Sequence, residues 1–239
     1  MRTLCRDVVT IVLSAATVAV APVARHPATA QQSTTPQRSP AARQHCVLLE
    51  DFAGSPVGQF PAGWRVRDDE GMAVYTVQEE GGLRFLHALS RGLGIQAGKA
   101  HEWDLNEYPV LAWSWRPRAF PEGADERTDR NDSVLAVYVL VPHSRVRGPK
   151  AVKYVWSERV PAGTHLTSNR GLTQVRVLRS GRAGLGAWRE ERVNAREDYV
   201  RFFEEKRAPR AAGIAVLTDA DDTRSTAAGD YADFRLCRG

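Results

Sequence analysis

From Cys46 onward the apolar residues come in short bursts separated by Gly, Pro, Asp and Ser, and few bursts are long enough for a helix. Strands are predicted at 46–52, 73–77, 83–89, 110–116, 133–141, 152–157, 173–178, 187–193, 212–217 and 231–237. Gly81-Gly82 lies between two of them as a hairpin signal. In Val110–Arg116 apolar and polar residues alternate, so Trp113 and Trp115 share one face and Arg116 takes the other. Ser133–Val141 is almost continuously apolar, which predicts a strand covered on both faces. One short surface helix is expected at about 194–206. Asn194 caps it, Glu197 answers as the reciprocal partner, Tyr199, Val200, Phe202 and Phe203 form its apolar face, and Pro209 stops it. The fold class is all-β, a jelly-roll-like β-sandwich with that single helix.

The chain before Cys46 reads differently. Arg2 and Arg6 precede an apolar stretch running from Val8 to about Val23, and Ala28-Thr29-Ala30 offers a small-residue cleavage site. Residues 1–30 therefore read as a secretory signal peptide. The alternative is an uncleaved anchor, but Pro22, Arg25 and His26 leave the apolar run short of the ~20 residues a spanning helix needs. Residues 31–44 lack large apolar side chains and read as a disordered linker, so a single β-sandwich domain is expected over 45–239. The expected localisation is periplasmic or secreted, with no stable membrane span.

Two cysteines follow the leader, Cys46 and Cys237, at the first and last predicted strands. An oxidising compartment allows them to form a disulfide; otherwise they are two buried thiols. A bridge would place those strands side by side, as a jelly roll does. The formal net charge is +5, and the basic residues are scattered, so a nucleic-acid partner has little support.

Chemistry concentrates in "TDADDT", 218–223, where Asp219, Asp221 and Asp222 follow an apolar run. Close carboxylates on a loop suit Ca2+. An EF-hand is excluded, because Arg224 stands where that loop needs its Gly and Asp230 where it needs its final Glu. Three readings stay open: a metal site, a ligand site that also uses Thr223, and a polar turn with Asp side chains capping backbone N–H groups. Asp132 lies in the loop before the long central strand and is able to join them. Trp115, Tyr154 and Trp156 either fill the core or offer faces for stacking, and Arg116, opposite in the alternation, faces solvent or a groove. No G-x-S-x-G or H-E-x-x-H motif occurs, and His45, His87, His101, His143 and His165 are scattered. Glu79-Glu80, Glu190-Glu191 and Glu204-Glu205 are sequence neighbours and do not face one another across a cleft, so no catalytic residue is assigned.

Four stretches then point one way: "EYPVLAWSWRPRAFPEGADERTDRNDSVLAVYVLV" (107–141), "KYVWSERVPAGTHL" (153–166), "VRVLRSGRAGLGAWREERVNAREDYVRFF" (175–203) and "GIAVLTDADDTRSTAAGDYADFRL" (213–236). In this order they resemble the family called domain of unknown function 3047, over about Glu50 to Leu236. The resemblance implies a secreted bacterial protein with a sandwich-like domain and says little about activity. Two departures stand out. The family has an Asp-Asp pair where this chain has Asn131-Asp132, and Asp-Thr-Asp-Asn-Thr where it has Asp219-Ala220-Asp221-Asp222-Thr223. Asp222 in the amide's place adds negative charge and keeps ion binding open. "LLEDF" (48–52) and "YADFRL" (231–236) also resemble the first and last strands of galactose-binding-like jelly rolls. That similarity implies a calcium near the termini and nominates Glu50 and Asp233 as its ligands.

The expected function is non-catalytic binding of a saccharide or another polar ligand by Asp132, Asp219, Asp221, Asp222 and Thr223 with Trp115, Arg116, Tyr154 and Trp156. Ca2+ is the cofactor the acidic residues suit. The alternative is a polysaccharide hydrolase or lyase that uses carboxylates of the same cluster.

Overall fold

The structure, a computed structural model, describes residues 46–239. The leader expected at 1–30, the linker at 31–44 and the domain start at His45 lie outside the described residues. Thirteen strands follow: β1 Cys46–Glu50, β2 Trp64–Val66, β3 Tyr75–Glu80, β4 Leu83–Arg91, β5 Ala97–Asp104, β6 Val110–Ala119, β7 Leu135–Ser144, β8 Gly148–Ser157, β9 His165–Ser168, β10 Thr173–Ser180, β11 Arg189–Asn194, β12 Arg210–Leu217 and β13 Thr226–Cys237. A single α-helix among the described residues, α1, spans Ala195–Phe202.

The strands form two sheets. A six-stranded sheet runs β11-β6-β13-β4-β3, with β1 added to β13, and a seven-stranded sheet runs β2-β5-β12-β7-β8-β10-β9. Both central sets belong to a jelly roll, with β11-β6-β13-β4 facing β5-β12-β7-β8. Between those strands the chain crosses from sheet to sheet at every link except the β7–β8 hairpin. The last strand thus lies in the middle of one sheet, where it pairs with β1, β4 and β6. The expected all-β sandwich is the observed fold.

The layers meet through aromatics. Trp113 and Trp115 point inward from β6, and Tyr154 and Trp156 point back from β8. Ring centroids lie 5.8 Å apart for Trp113–Tyr154 and 6.0 Å for Trp115–Trp156. Trp115 and Trp156 donate their indole N–H groups to Glu191 and to the Gly181 carbonyl, and the Tyr154 hydroxyl donates to Asp198 on α1. Strand β7 has both faces covered, as its apolar run predicts, because Ala136 and Tyr138 join a second buried cluster on the outer side of their sheet.

Strands β2, β5 and β9 were not expected. β5 carries Lys99, His101 and Glu102 through its middle, and β2 and β9 are short strands at the two edges of the seven-stranded sheet. Helix α1 begins where predicted: Asn194 Oδ1 accepts the Glu197 N–H at 2.9 Å. It ends at Phe202, short of 206, because Glu204 adopts φ 54° and cannot continue it. Asn194→Ala is expected to cost about 1 kcal/mol of stability, measured by urea unfolding, since it strips the cap acceptor and nothing else.

Candidate functional site

Three loops converge at one end of the sandwich: 92–96 between β4 and β5, 120–134 between β6 and β7, and 218–225 between β12 and β13. Antiparallel pairing causes this, because β12 ends beside the start of β7 with Leu217 opposite Ala136. Buried hydroxyls fasten the loop roots. Tyr231 donates to the Leu217 carbonyl at 2.7 Å and accepts the Ala136 N–H. Tyr75 donates to the Ile95 carbonyl at 2.7 Å. Backbone bonds then tie the loops together, Asp219 N–H to Ser133, Ala220 N–H to Leu93 and Gly92 N–H to Ser225.

Asp132 organises the acidic loop. It is fully buried. Its Oδ1 accepts the Asp222 N–H at 3.2 Å, and its Oδ2 accepts the Thr223 N–H at 2.8 Å and the Thr223 hydroxyl. This holds Asp221 and Asp222 outward, and carboxylate oxygens of Asp132, Asp221 and Asp222 lie within 4.8 Å of one another. The two departures from the family pattern also touch: Asn131 Nδ2 donates to Asp222 Oδ2 at 2.7 Å. The amide at 131 thus supplies a donor to the carboxylate at 222.

Asp219 sits beneath this cluster, 7% exposed, and its Oδ1 has no hydrogen-bond partner. Gly94 forms the adjoining wall. A Cβ there would come within 2.7 Å of Asp219 Oδ1 and 2.9 Å of Asp221 Oδ1, so only a bare Cα lets both carboxylates pack on that loop. Burial pushes the Asp219 pKa up to about 8; the Lys153 cation opposes the rise, and Asp221 and Asp132 add to it. Asp222 is also raised, by burial first and then by Asp221 and Asp132. Lys153 is itself buried, on the outer face of the seven-stranded sheet. Burial pulls its pKa down, but Tyr138, Asp219 and Glu126 outweigh that, and the net shift is upward. Glu126 completes the buried group: it accepts from the Ser133 and Ser157 hydroxyls, and burial raises its pKa. Lys153 and Glu126 escaped the sequence reading, since a lone Lys in an apolar strand and a Glu in a charged loop carry no local signal.

Beside the cluster runs an open cleft of ≈ 720 Å³ lined by Arg67, Asp68, Asp69, Glu70, Asp221 and residues 92–95. Its walls offer carboxylate acceptors and one guanidinium donor.

The structure brings Asp132, Asp219, Asp221, Asp222 and Thr223 together and separates the rest. Trp115, Tyr154 and Trp156 are at most 2% exposed and pack between the sheets, so they present no face for stacking. Arg116 does take the opposite side of β6, but it is held by Asp230 and Glu80 on the outer face of the six-stranded sheet. Glu50 and Asp233 each have protein partners of opposite charge. Glu50 accepts from the Phe52 N–H at 2.7 Å, the Trp64 indole at 2.9 Å and Lys99 at 2.8 Å, so a lysine already supplies its positive charge. Asp233 pairs with Arg235 at 2.9 Å. The expected disulfide is present between Cys46 and Cys237.

Comparison with known proteins follows the same lines. A family model described as "Protein of unknown function (DUF3047)" matches residues 62–235. No curated protein matches. Among solved structures, a cleaved adhesin domain of Lys-gingipain is 12% identical, with 81% of this chain and 98% of that chain covered and a TM-score of 0.43. The carbohydrate recognition domain of Emp47p is 10% identical, with 80% and 97% covered and a TM-score of 0.36. Likeness at that level carries no argument about ligands.

Proposed function

We propose, starting from the premise that this chain belongs to the DUF3047 family, that it is a non-catalytic binding domain of the cell envelope whose ligand is a saccharide or another polyhydroxylated molecule, held with a divalent cation at the acidic cleft. One observation carries the reading: three carboxylates from two loops converge within 4.8 Å, above a fourth whose buried oxygen has no partner. Ca2+ binds oxygens at 2.3–2.6 Å, so two of its ligands stand at most roughly 5 Å apart, and the cluster matches that reach. Ca2+ takes six to eight oxygens. Three carboxylates leave positions for water, backbone carbonyls or ligand hydroxyls, and the cleft beside Asp221 brings hydroxyls to that place.

The test is thermal unfolding and calorimetry with Ca2+, Mg2+ or chelator. Calcium at a hundredfold excess over its Kd is expected to stabilise the fold by about 2.7 kcal/mol. Asp221→Asn with Asp222→Asn should abolish the response without unfolding the domain, since both side chains are exposed. An unchanged wild-type midpoint in calcium would end the cation reading. Export belongs to the same proposal. The Cys46–Cys237 bridge fits an oxidising compartment, no helix among the described residues is long and apolar enough to cross a membrane, and N-terminal sequencing of exported protein should begin at Gln31.

A second reading draws support from Asp219. A carboxyl that keeps its proton at neutral pH beside Asp221 has the makings of an acid–base pair for cleaving a polysaccharide. New reducing or unsaturated ends released by the wild type, and lost in Asp221→Asn, would replace binding with turnover.

A further inference from the structure

The outer face of the six-stranded sheet carries a row of side chains unlike the rest of that surface. Register places His87 opposite Asp230 and Asp230 opposite Arg116, and Trp188 follows beside Arg116 because Arg189 pairs with Trp115. Asp230 is fully buried although it stands on an outer face. It pairs with Arg116 Nε at 2.6 Å and His87 Nδ1 at 2.7 Å, with Arg118 Nε at 3.4 Å. Arg116 is 3% exposed; its Nη1 reaches Glu80 at 2.8 Å and its Nη2 has no hydrogen-bond partner. The guanidinium carbon lies 4.6 Å from the Trp188 ring and 5.2 Å from Phe85, and those two rings meet edge to face at 5.5 Å.

Burying ions in this way is expensive, and apolar residues of similar volume would stabilise the fold at least as well. What the ions do achieve is orientation. A guanidinium anchored on two carboxylates and wedged against Phe85 fixes the plane of the Trp188 indole. That indole differs from the other five: Trp64, Trp103, Trp113, Trp115 and Trp156 are all at most 5% exposed, and Trp188 alone keeps part of its surface in solvent. Half-exposed Arg118 and Glu80, a donor and an acceptor, belong to the same ionic group, Arg118 through Asp230 and Glu80 through the Arg116 that touches the indole.

We propose that Trp188 is the floor of a second ligand surface, on the outer face of the six-stranded sheet, that takes a pyranose ring of a polysaccharide. The apolar face of the sugar lies on the indole, and Arg118 and Glu80 bond its hydroxyls. Arg116, Asp230 and His87 are positioning residues: they hold the ring plane before the ligand arrives, so little freedom is lost on binding. The surface needs no cation and shares no residue with the acidic cleft.

Affinity electrophoresis in gels containing hydroxyethylcellulose, dextran, alginate or solubilised peptidoglycan tests this, with acrylamide quenching of Trp fluorescence in parallel. At least one polymer should retard the wild type and shield it from acrylamide. Trp188→Ala should weaken that binding tenfold or more, and Trp188→Phe, which keeps an aromatic face, should retain part of it. Chelator and Asp221→Asn should leave it unchanged, so failure of this surface and failure of the acidic cleft read out separately. The proposal is overturned if Trp188→Ala, folded by circular dichroism and unchanged in Tm, binds within twofold of wild type, or if no polymer in the panel retards the wild-type protein.

Discussion

Stripped of divalent cations, the protein is expected to lose stability as the pH rises from about 4 to about 8, the interval between the ordinary Asp pKa and that of Asp219 in the fold. The sign follows from proton counting. In that window the folded state holds the Asp219 proton and the unfolded chain has released it, so the stabilising contribution is complete below the window and lost as pH climbs through it. Each pKa unit corresponds to about 1.4 kcal/mol, which puts the loss on the order of a few kcal/mol by neutral pH. Glu126 and Asp222 are raised as well and act in the same direction. Asp125 is held at about 2 by Arg127 and acts oppositely, but only in acid below the window. Asp219→Asn copies the protonated form in shape and hydrogen bonding. It should flatten the slope and leave the variant more stable than wild type at pH 8 in chelator. Calcium should raise the wild-type midpoint more at pH 8 than at pH 5, because the cation replaces both the proton and the missing counter-charge. Urea unfolding across this range in chelator and in calcium supplies both curves. A flat wild-type profile would mean that Asp219 ionises freely, and the buried oxygen beside Gly94 would lose its significance.

How far the sequence carries differs from one side chain to the next. Alternation along β6 puts Trp113 and Trp115 on one face, and the structure agrees. Alternation assigns a side, however, and not what covers it. The covering came from β8, so Trp115, Tyr154 and Trp156 became the seam between the sheets rather than a groove. The acidic loop was legible as a cluster, and Asp132 was legible as its neighbour. Its burial was not, because clamping the Asp222 and Thr223 N–H groups depends on the register of β7 against β12. Strand β5 hid because Lys99, His101 and Glu102 fill its middle, and its pairing comes from backbone bonds to β2 and β12. Trp188 was hidden for another reason: it lies in a segment read as strand, and its partial exposure over Arg116, which separates it from the five core indoles, depends on the fold.

Removing the Cys46–Cys237 bridge is expected to cost about 2–5 kcal/mol of global stability. The bonded residues are 191 apart in sequence, so the bridge closes a very long loop in the unfolded chain, and that constraint scales with the logarithm of loop length. The two residues that follow Cys46 in β1 lie near the surface. The strand pairs with β13 alone, and Val47 and Leu48 are 45% and 50% exposed. Fraying should nevertheless stop at Glu50, which the Phe52 N–H, the Trp64 indole and Lys99 fasten to the core. In a Cys46→Ala, Cys237→Ala variant, amide exchange should therefore accelerate at Val47 and Leu48 and stay slow from Glu50 onward. The acidic loop precedes Thr226 at the other end of β13, roughly 35 Å from Cys237 by the rise of an extended strand. Perturbations that far apart with no shared partners add independently, so calcium should shift the midpoint of the variant by the same amount as that of the wild type. If the calcium response vanished with the bridge, β13 would be transmitting strain along its length, and the acidic loop would depend on the terminal staple rather than on Asp132 and Gly94.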